Sequence, residues 1–348
     1  MSVYVTGLGA ALPARVVTNV ELAALLGVAP EWIEANSGIR ERRWAQAHET
    51  TSGLAAAAVR EALHDAGTSV DEADYLIGCT LSPDYQVPGI APLVQRRLEG
   101  CAMIPAMDLR AGCAAILYAL QTACALVASR AARRVVCFGA EAQSKGLDLR
   151  PASAELSMLF GDGAGALVLS DTPAALGEAR DVVLSVEDVL IKTDGRFAED
   201  LIVRAPGTAN GARWLDEEQV EAGLHLGAMQ GRNVILQAVS KMSDAATRLL
   251  ARHHLAADDV ALVIPHQANL NLLRALGKRL GIADERVVVN LDRYGNTSSA
   301  SAFIALCQAA REGRLPRDAY VLIVAFGAGF TWGAALCRVS NAKEVVFD

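Results

Sequence analysis

Met107-Asp-Leu-Arg-Ala-Gly-Cys-Ala-Ala-Ile-Leu-Tyr-Ala-Leu-Gln121 is the stretch around which the rest of the chain is read. A hydrophobic approach ends in Arg110-Ala111-Gly112, and helix formers then run unbroken from Cys113 to Ser129. The pattern predicts a short strand, a glycine corner and a buried, Ala-rich helix with Cys113 in its first turn. A free cysteine commonly packs as a small core residue. At a helix start, unpaired N–H groups and the positive end of the dipole instead stabilise a thiolate. Residues far downstream decide between the two.

The chain has 348 residues, 52% hydrophobic and only 20% charged, enough to bury one large domain or two fused ones. No uncharged apolar run is long enough to span a bilayer. The opening Met-Ser-Val-Tyr-Val-Thr-Gly reads as a strand entering a turn, not as a signal peptide. The cysteines (Cys79, Cys101, Cys113, Cys124, Cys137, Cys307 and Cys337) are odd in number and form no C-x-x-C. Disulfides and a zinc or other metal site are therefore not expected, and a reducing cytoplasm is. A net charge of −7 argues against nucleic acid.

Strand and helix patterns alternate throughout. Strands are expected at 3–12, 74–80, 103–108, 134–139, 166–169, 286–291 and 320–326, the last leading through a glycine turn at 327–329 into a final strand. Helices are expected from Thr18, from near Pro30, and over 51–66, 113–129, 218–252, 268–280 and 300–312. The order hides a repeat. Asp74-Tyr-Leu-Ile-Gly78 and Asp259-Val-Ala-Leu-Val-Ile-Pro265 are both buried strands leading into amphipathic helices that end at Arg97-Leu-Glu-Gly100 and Arg279-Leu-Gly281. Ile104-Pro-Ala-Met-Asp-Leu-Arg-Ala-Gly-Cys113 then matches Val288-Val-Asn-Leu-Asp-Arg-Tyr-Gly-Asn296. Two duplicated α/β halves, 1–172 and 173–348, should pack about a pseudo-twofold axis. Cys113 and Asn296 would then occupy equivalent helix starts facing one another, with His266 pointing into the same space. Residues 185–220 are the least patterned and read as a lid or entrance.

Singly, each of these residues has a bland account: a hydrogen-bonded core histidine, a capped helix start, a turn. Together they make a set that acyl chemistry requires. A thiolate takes an acyl group from a thioester, and backbone N–H groups of Cys113 and of the 327–329 turn bind the oxyanion. Neutral His266 and Asn296 donate hydrogen bonds to an enolate oxygen, which a carboxylate at 296 would repel.

The chain resembles the ketoacyl-acyl-carrier-protein synthase III enzymes of the thiolase superfamily over essentially its whole length. The pieces that carry the resemblance are Glu31-Trp-Ile33, Ser37-Gly-Ile-Arg-Glu-Arg42, Phe160-Gly-Asp-Gly-Ala-Gly165, Pro265-His-Gln-Ala-Asn269, Asp292-Arg-Tyr-Gly-Asn-Thr-Ser298 and Phe326-Gly-Ala-Gly-Phe-Thr-Trp-Gly333. The resemblance implies an α/β, five-layered αβαβα thiolase-like fold, a homodimer, and no cofactor. It also implies a Cys113–His266–Asn296 triad with oxyanion donors at Cys113 and Ala328. Trp32, Val87, Phe326 and Gly327 fall at its substrate or entrance positions.

Departures bear on the substrate. Asn36, Ala154 and Asn271 stand where fatty-acid initiators carry arginines for the coenzyme A nucleotide or the carrier protein, although Arg40, Arg42, Arg150 or Arg274 could compensate. Val87 stands where a phenylalanine from the partner subunit closes a short acyl pocket. These changes point to a condensing enzyme of secondary metabolism that loads a longer acyl chain from a carrier protein and joins it to a malonyl or β-ketoacyl thioester. The alternatives are a fatty-acid initiator using acyl-coenzyme A, an ester- or amide-forming acyltransferase, and an inactive partner subunit. A cysteine protease also uses Cys, His and Asn, but the duplicated α/β layout and glycine turns do not belong to that fold.

Overall fold

The computed structural model describes residues 2–98, 103–174 and 182–341. Its strands are β1 (Val3–Ala11), β2 (Val16–Thr18), β3 (Glu41–Arg43), β4 (Tyr75–Cys79), β5 (Ala106–Asp108), β6 (Arg134–Glu141) and β7 (Gly163–Ser170). They continue with β8 (Val182–Thr193), β9 (Leu201–Val203), β10 (Gly227–Met229), β11 (Val260–Pro265), β12 (Ala319–Gly327) and β13 (Thr331–Asn341). Nine of them form one sheet in the order β11-β12-β13-β8-β1-β7-β6-β4-β5. β5, β4 and β6 run parallel, and β6, β7 and β1 antiparallel. Across the middle the pattern recurs: β11 and β12 are parallel, β12, β13 and β8 antiparallel. The two runs join where Val3–Val5 pairs with Leu184–Val186.

Strand alternation sorts the side chains into layers. On β6, Val135 and Cys137 face an inner core while Val136 and Phe138 face an outer one; on β12, Val321 and Ile323 face inward, Leu322 and Val324 outward. The inner core is filled by the helices Ala115–Ala128 and Ser301–Arg311, both packed between the two runs of the sheet. Thr51–Asp65 and Ile90–Gln95 cover one outer face, Gly231–Arg252 and Leu270–Leu280 the other. The result is the αβαβα layering of the thiolase-like class. None of the described helices is long and apolar enough to cross a membrane.

Three expectations need correction. The helix expected over 218–252 is two, Glu217–Glu221 and Gly231–Arg252. Gly223 at φ +72 stops the first, and β10 pairs with β9 between them. The strand expected at 286–291 survives as a single bridge, Val263 to Val287. There the Gln267 side chain replaces a ladder: its Nε2 donates to Pro265 and Val288 carbonyls, and its Oε1 accepts from the N–H groups of Asn290 and Leu291. Backbone polar groups are satisfied without a strand. Finally, 185–193 belongs to β8, zipped to β13 along its length, so the entrance segment starts only after Thr193.

Candidate active site

Parallel strands leave their C-terminal ends in one place, and the chemistry gathers there. Cys113 follows β5, His266 follows β11, and the turn 327–329 follows β12. The helix behind Cys113 begins only at Ala115, so the cysteine lies just ahead of the first turn. Gly112 adopts φ +56, and a methyl group on it would sit 2.6 Å from the Ala328 nitrogen. A methyl on Gly327 would overlap the Cys113 nitrogen. These glycines let the backbone at Cys113 and Ala328 approach closely, as a pair of oxyanion donors must.

The turn is braced from several sides. Thr331 Oγ1 donates to the Ala111 carbonyl at 2.6 Å. Asp194 and Phe330 exchange backbone hydrogen bonds of 2.8 and 3.0 Å. The Asp194 carboxylate takes a bond from Lys241 at 3.2 Å, whose ammonium lies 4.2 Å from the Trp332 ring centroid.

One short segment links the three candidate residues. Asn296 accepts the Ser298 N–H on its side-chain oxygen at 2.8 Å, and Ser298 Oγ lies 3.3 Å from Cys113 Sγ. Ser301 Oγ lies 2.6 Å from His266 Nδ1 and also accepts the Gln267 N–H at 3.2 Å. With the Gln267 N–H on one lone pair, the hydroxyl can donate to Nδ1, the arrangement in which His266 Nε2 carries the hydrogen. The Asn296 amide nitrogen has no hydrogen-bond partner among the described residues and is free to donate. Sequence alone does not single out Ser298 and Ser301, although the run Asn296-Thr-Ser-Ser-Ala-Ser301 contains both. Ser298 sits at φ +47, an uncommon conformation for a residue with a side chain.

The electrostatics overturn the expected depressed thiol. Burial pushes the Cys113 pKa up to about 12; the bond from Ser298 opposes this and the nearby Glu141 carboxylate adds to it. A position just before a helix does not offset the loss of water. Burial also lowers His266 to about 4, so its imidazole is neutral at ordinary pH.

Cys113 and Ser298 open on a cavity of about 530 Å³, walled by Leu81, Leu147, Leu156, Phe160 and the 198–206 segment together with Ala328 and Gly329. His266 and Asn296 lie behind its lining, both buried. Four further expected residues do not line this cavity within the single chain. Phe326 is buried behind the turn against Phe330, and Gly327 serves the close packing described above. Trp32 is half-buried against the outer core, off the cavity wall. Val87 is 80% exposed, while its neighbour Gln86 reaches the cavity.

The compensating arginines are mostly engaged. Arg42 is fully buried, bonded to Asn19 and the Met158 carbonyl, and burial lowers its pKa to about 10. Arg40 pairs with Glu34 and Arg150 with Asp148. Arg274 borders a separate cleft with Leu270 and Asp284. Among the described residues no three His, Cys, Asp or Glu side chains cluster as metal ligands would.

A thiolase-like α/β fold with a cysteine between two glycine-rich turns defines an acyltransferase class, the condensing enzymes. Residues 107–188 match the family pattern of 3-oxoacyl-(acyl-carrier-protein) synthase III, and residues 250–339 match its C-terminal part. The chain is 40% identical over 333 residues to the β-ketoacyl-(acyl-carrier-protein) synthase III of Nitratidesulfovibrio vulgaris, covering 95% of this chain and 97% of that one. The crystal structure of the synthase III of Aquifex aeolicus VF5 superposes with a TM-score of 0.84 at 34% identity, over 97% of this chain and 99% of that one. The priming β-ketosynthase of the R1128 polyketide pathway gives 0.83 at 32%, over 97% and 96%. The chain belongs to the β-ketoacyl-acyl-carrier-protein synthase III family.

Proposed function

We propose that Cys113 accepts an acyl chain from a carrier-protein thioester and that the same site joins it, by Claisen-type condensation, to a malonyl or β-ketoacyl thioester. The observation that carries this reading is the segment 296–301. It touches Cys113 through Ser298 and His266 through Ser301, and it contains Asn296.

The sulfur attacks the thioester carbonyl, the donor's C–S bond breaks, and its thiol leaves with the proton from Cys113. A malonyl acceptor then loses carbon dioxide, and the electron pair of the broken bond becomes an enolate. His266 Nε2–H and the Asn296 amide hold the enolate oxygen; the N–H groups of Cys113 and Ala328 hold the oxyanion as the enolate carbon attacks. Collapse of that intermediate releases the product and the Cys113 thiolate. Since burial disfavours the resting thiolate, proton removal belongs to the step in which the thioester occupies the cavity.

Two donor classes fit this site. Asn36, Ala154 and Asn271 and the engaged Arg40, Arg42 and Arg150 favour delivery by carrier protein, and the small, exposed Val87, offered to a partner subunit's cavity, favours a longer chain. The whole-chain similarity to synthase III enzymes equally supports initiation of fatty-acid synthesis from acyl-coenzyme A. In the family's manner, a second copy of this chain is proposed as its partner.

Intact-mass measurement after mixing with matched acyl donors, on coenzyme A and on carrier protein, separates the two. Mass gain on Cys113 from longer carrier-protein donors alone supports the first. Gain from acetyl-coenzyme A at equal or greater speed supports initiation. Cys113→Ala should abolish the adduct, and an adduct on another cysteine with undiminished turnover would overturn the assignment.

A further inference from the structure

Glu141 ends β6 fully buried. Its carboxylate accepts from the Leu81 and Ser82 N–H groups at 3.1 Å, from Ser82 Oγ and Ser299 Oγ at 2.6 Å each, from Gln143 Nε2 at 3.2 Å and from Thr80 Oγ1 at 3.3 Å. N–H groups only donate, so this set suits the ionised, acceptor-only form. No cation answers it among the described residues: Lys145, on the turn that follows, donates to the carbonyls of Ala47 and Glu49. A buried, unpaired carboxylate is expensive to keep, and burial does push its pKa up, with the Ser299 and Ser82 bonds pulling it back.

Its donors come from three separate places: the loop after β4, the turn after β6, and Ser299. Ser299 also reaches the Cys79 carbonyl at 3.2 Å, and its backbone lies on β6, where a methyl on Gly139 would sit 2.5 Å from the Ser299 carbonyl oxygen. Ser298, which touches Cys113, is the preceding residue, and Ser301, which touches His266, is two further on. Two thiols have their pKa raised in part by this carboxylate. Cys79 is raised first by burial, then by Glu141 and Asp108, and Cys113 is raised chiefly by burial, with Glu141 adding.

We propose that Glu141 is a positioning residue whose carboxylate clamps Ser299, and with it Ser298 and Asn296, to the ends of β4 and β6, and whose negative charge opposes the Cys113 thiolate. This rests on the reading of Cys113 as nucleophile. The clamp and the charge act on different steps: the clamp serves the condensation, and the charge adds to the burial that keeps the resting thiol protonated.

The test compares the full-length protein with Glu141→Gln and Ser299→Ala. The first readout is alkylation of Cys113 by iodoacetamide, followed by mass from neutral to alkaline pH. Removing the charge in Glu141→Gln should move the profile toward lower pH by about one unit, or about tenfold in rate at a given pH. Ser299→Ala, which keeps the carboxyl group, should not move the profile toward lower pH. The second readout is loss of the acyl mass when malonyl-carrier protein is added to acylated enzyme, and both variants should slow it. An unmoved profile in Glu141→Gln, or an equal shift in Ser299→Ala, overturns the charge role. Condensation by Ser299→Ala at the wild-type rate overturns the clamp, and it decides that point even if Glu141→Gln fails to fold. If wild-type Cys113 accepts no acyl group from any donor, the nucleophile reading fails, while the alkylation profiles still judge Glu141.

Discussion

Cys113 is a protonated thiol at rest, because its surroundings remove water without supplying a cation. Wild-type alkylation by iodoacetamide should therefore climb with pH through the neutral range without levelling off. A plateau near neutrality would mean a stabilised thiolate and contradict the burial argument. Asn296 carries the opposite logic. Its side-chain oxygen is committed to the Ser298 N–H, a bond that an aspartate could keep, and its amide nitrogen is the proposed donor to the enolate. Asn296→Asp should acylate at close to the wild-type rate but condense about a hundredfold more slowly, since one oriented donor is replaced by a repelling charge. Single-turnover measurements of the two steps decide it: equal losses in both would make Asn296 a structural residue only.

At the scale of elements, the glycines of the two turns limit what the site tolerates. Gly327→Ala places a methyl where the Cys113 nitrogen lies, and the fit relaxes only by separating the turn from the cysteine. Overpacking of this kind costs about 1–3 kcal/mol in stability. Acylation should fall further than the melt implies, by at least about tenfold, because the two proposed oxyanion donors are moved apart. Thermal melting read beside the acylation rate checks this; a destabilised variant with intact acylation would free the turn of any oxyanion role. The same elements show which features are legible in the sequence. Gly112, Cys113 and the turn at 327–329 stand out because glycines so placed beside a cysteine serve close backbone approach and little else. Thr18 reads as a cap and acts as one, accepting the Glu21 N–H. The missing strand at 286–291 is illegible because Val287, Val288 and Val289 do pack as a strand would, while the side chain of Gln267 takes over the hydrogen bonds. The expectation of a depressed thiol fails for a related reason: sequence shows the helix start, but only packing shows how deeply the thiol is buried.

For the whole molecule, the repeated ladder pattern brings residues some two hundred positions apart to one floor, and that much follows from the matched motifs. The cavity above the floor does not, because its walls come from segments without periodicity: the loop after β4, the 147–160 turns and the 198–206 stretch. Its volume of about 530 Å³ is shared between whatever acyl chain is bound and the arm that delivers it. Leu156 is one wall, and its side chain already presses on Gly227 of β10, which would meet it at 2.9 Å if it carried a methyl. A larger side chain there has nowhere to go but into the cavity. Leu156→Trp should therefore leave acylation by acetyl donors within about threefold of wild type, while lowering acylation by long-chain donors about 10- to 200-fold, the range in which apolar pockets discriminate by size. Mass kinetics with a series of donors of increasing length would show a break at one chain length if Leu156 bounds the acyl channel. A uniform loss across the series, acetyl included, would place Leu156 on the path of the delivering arm instead and assign the acyl chain to the opposite wall.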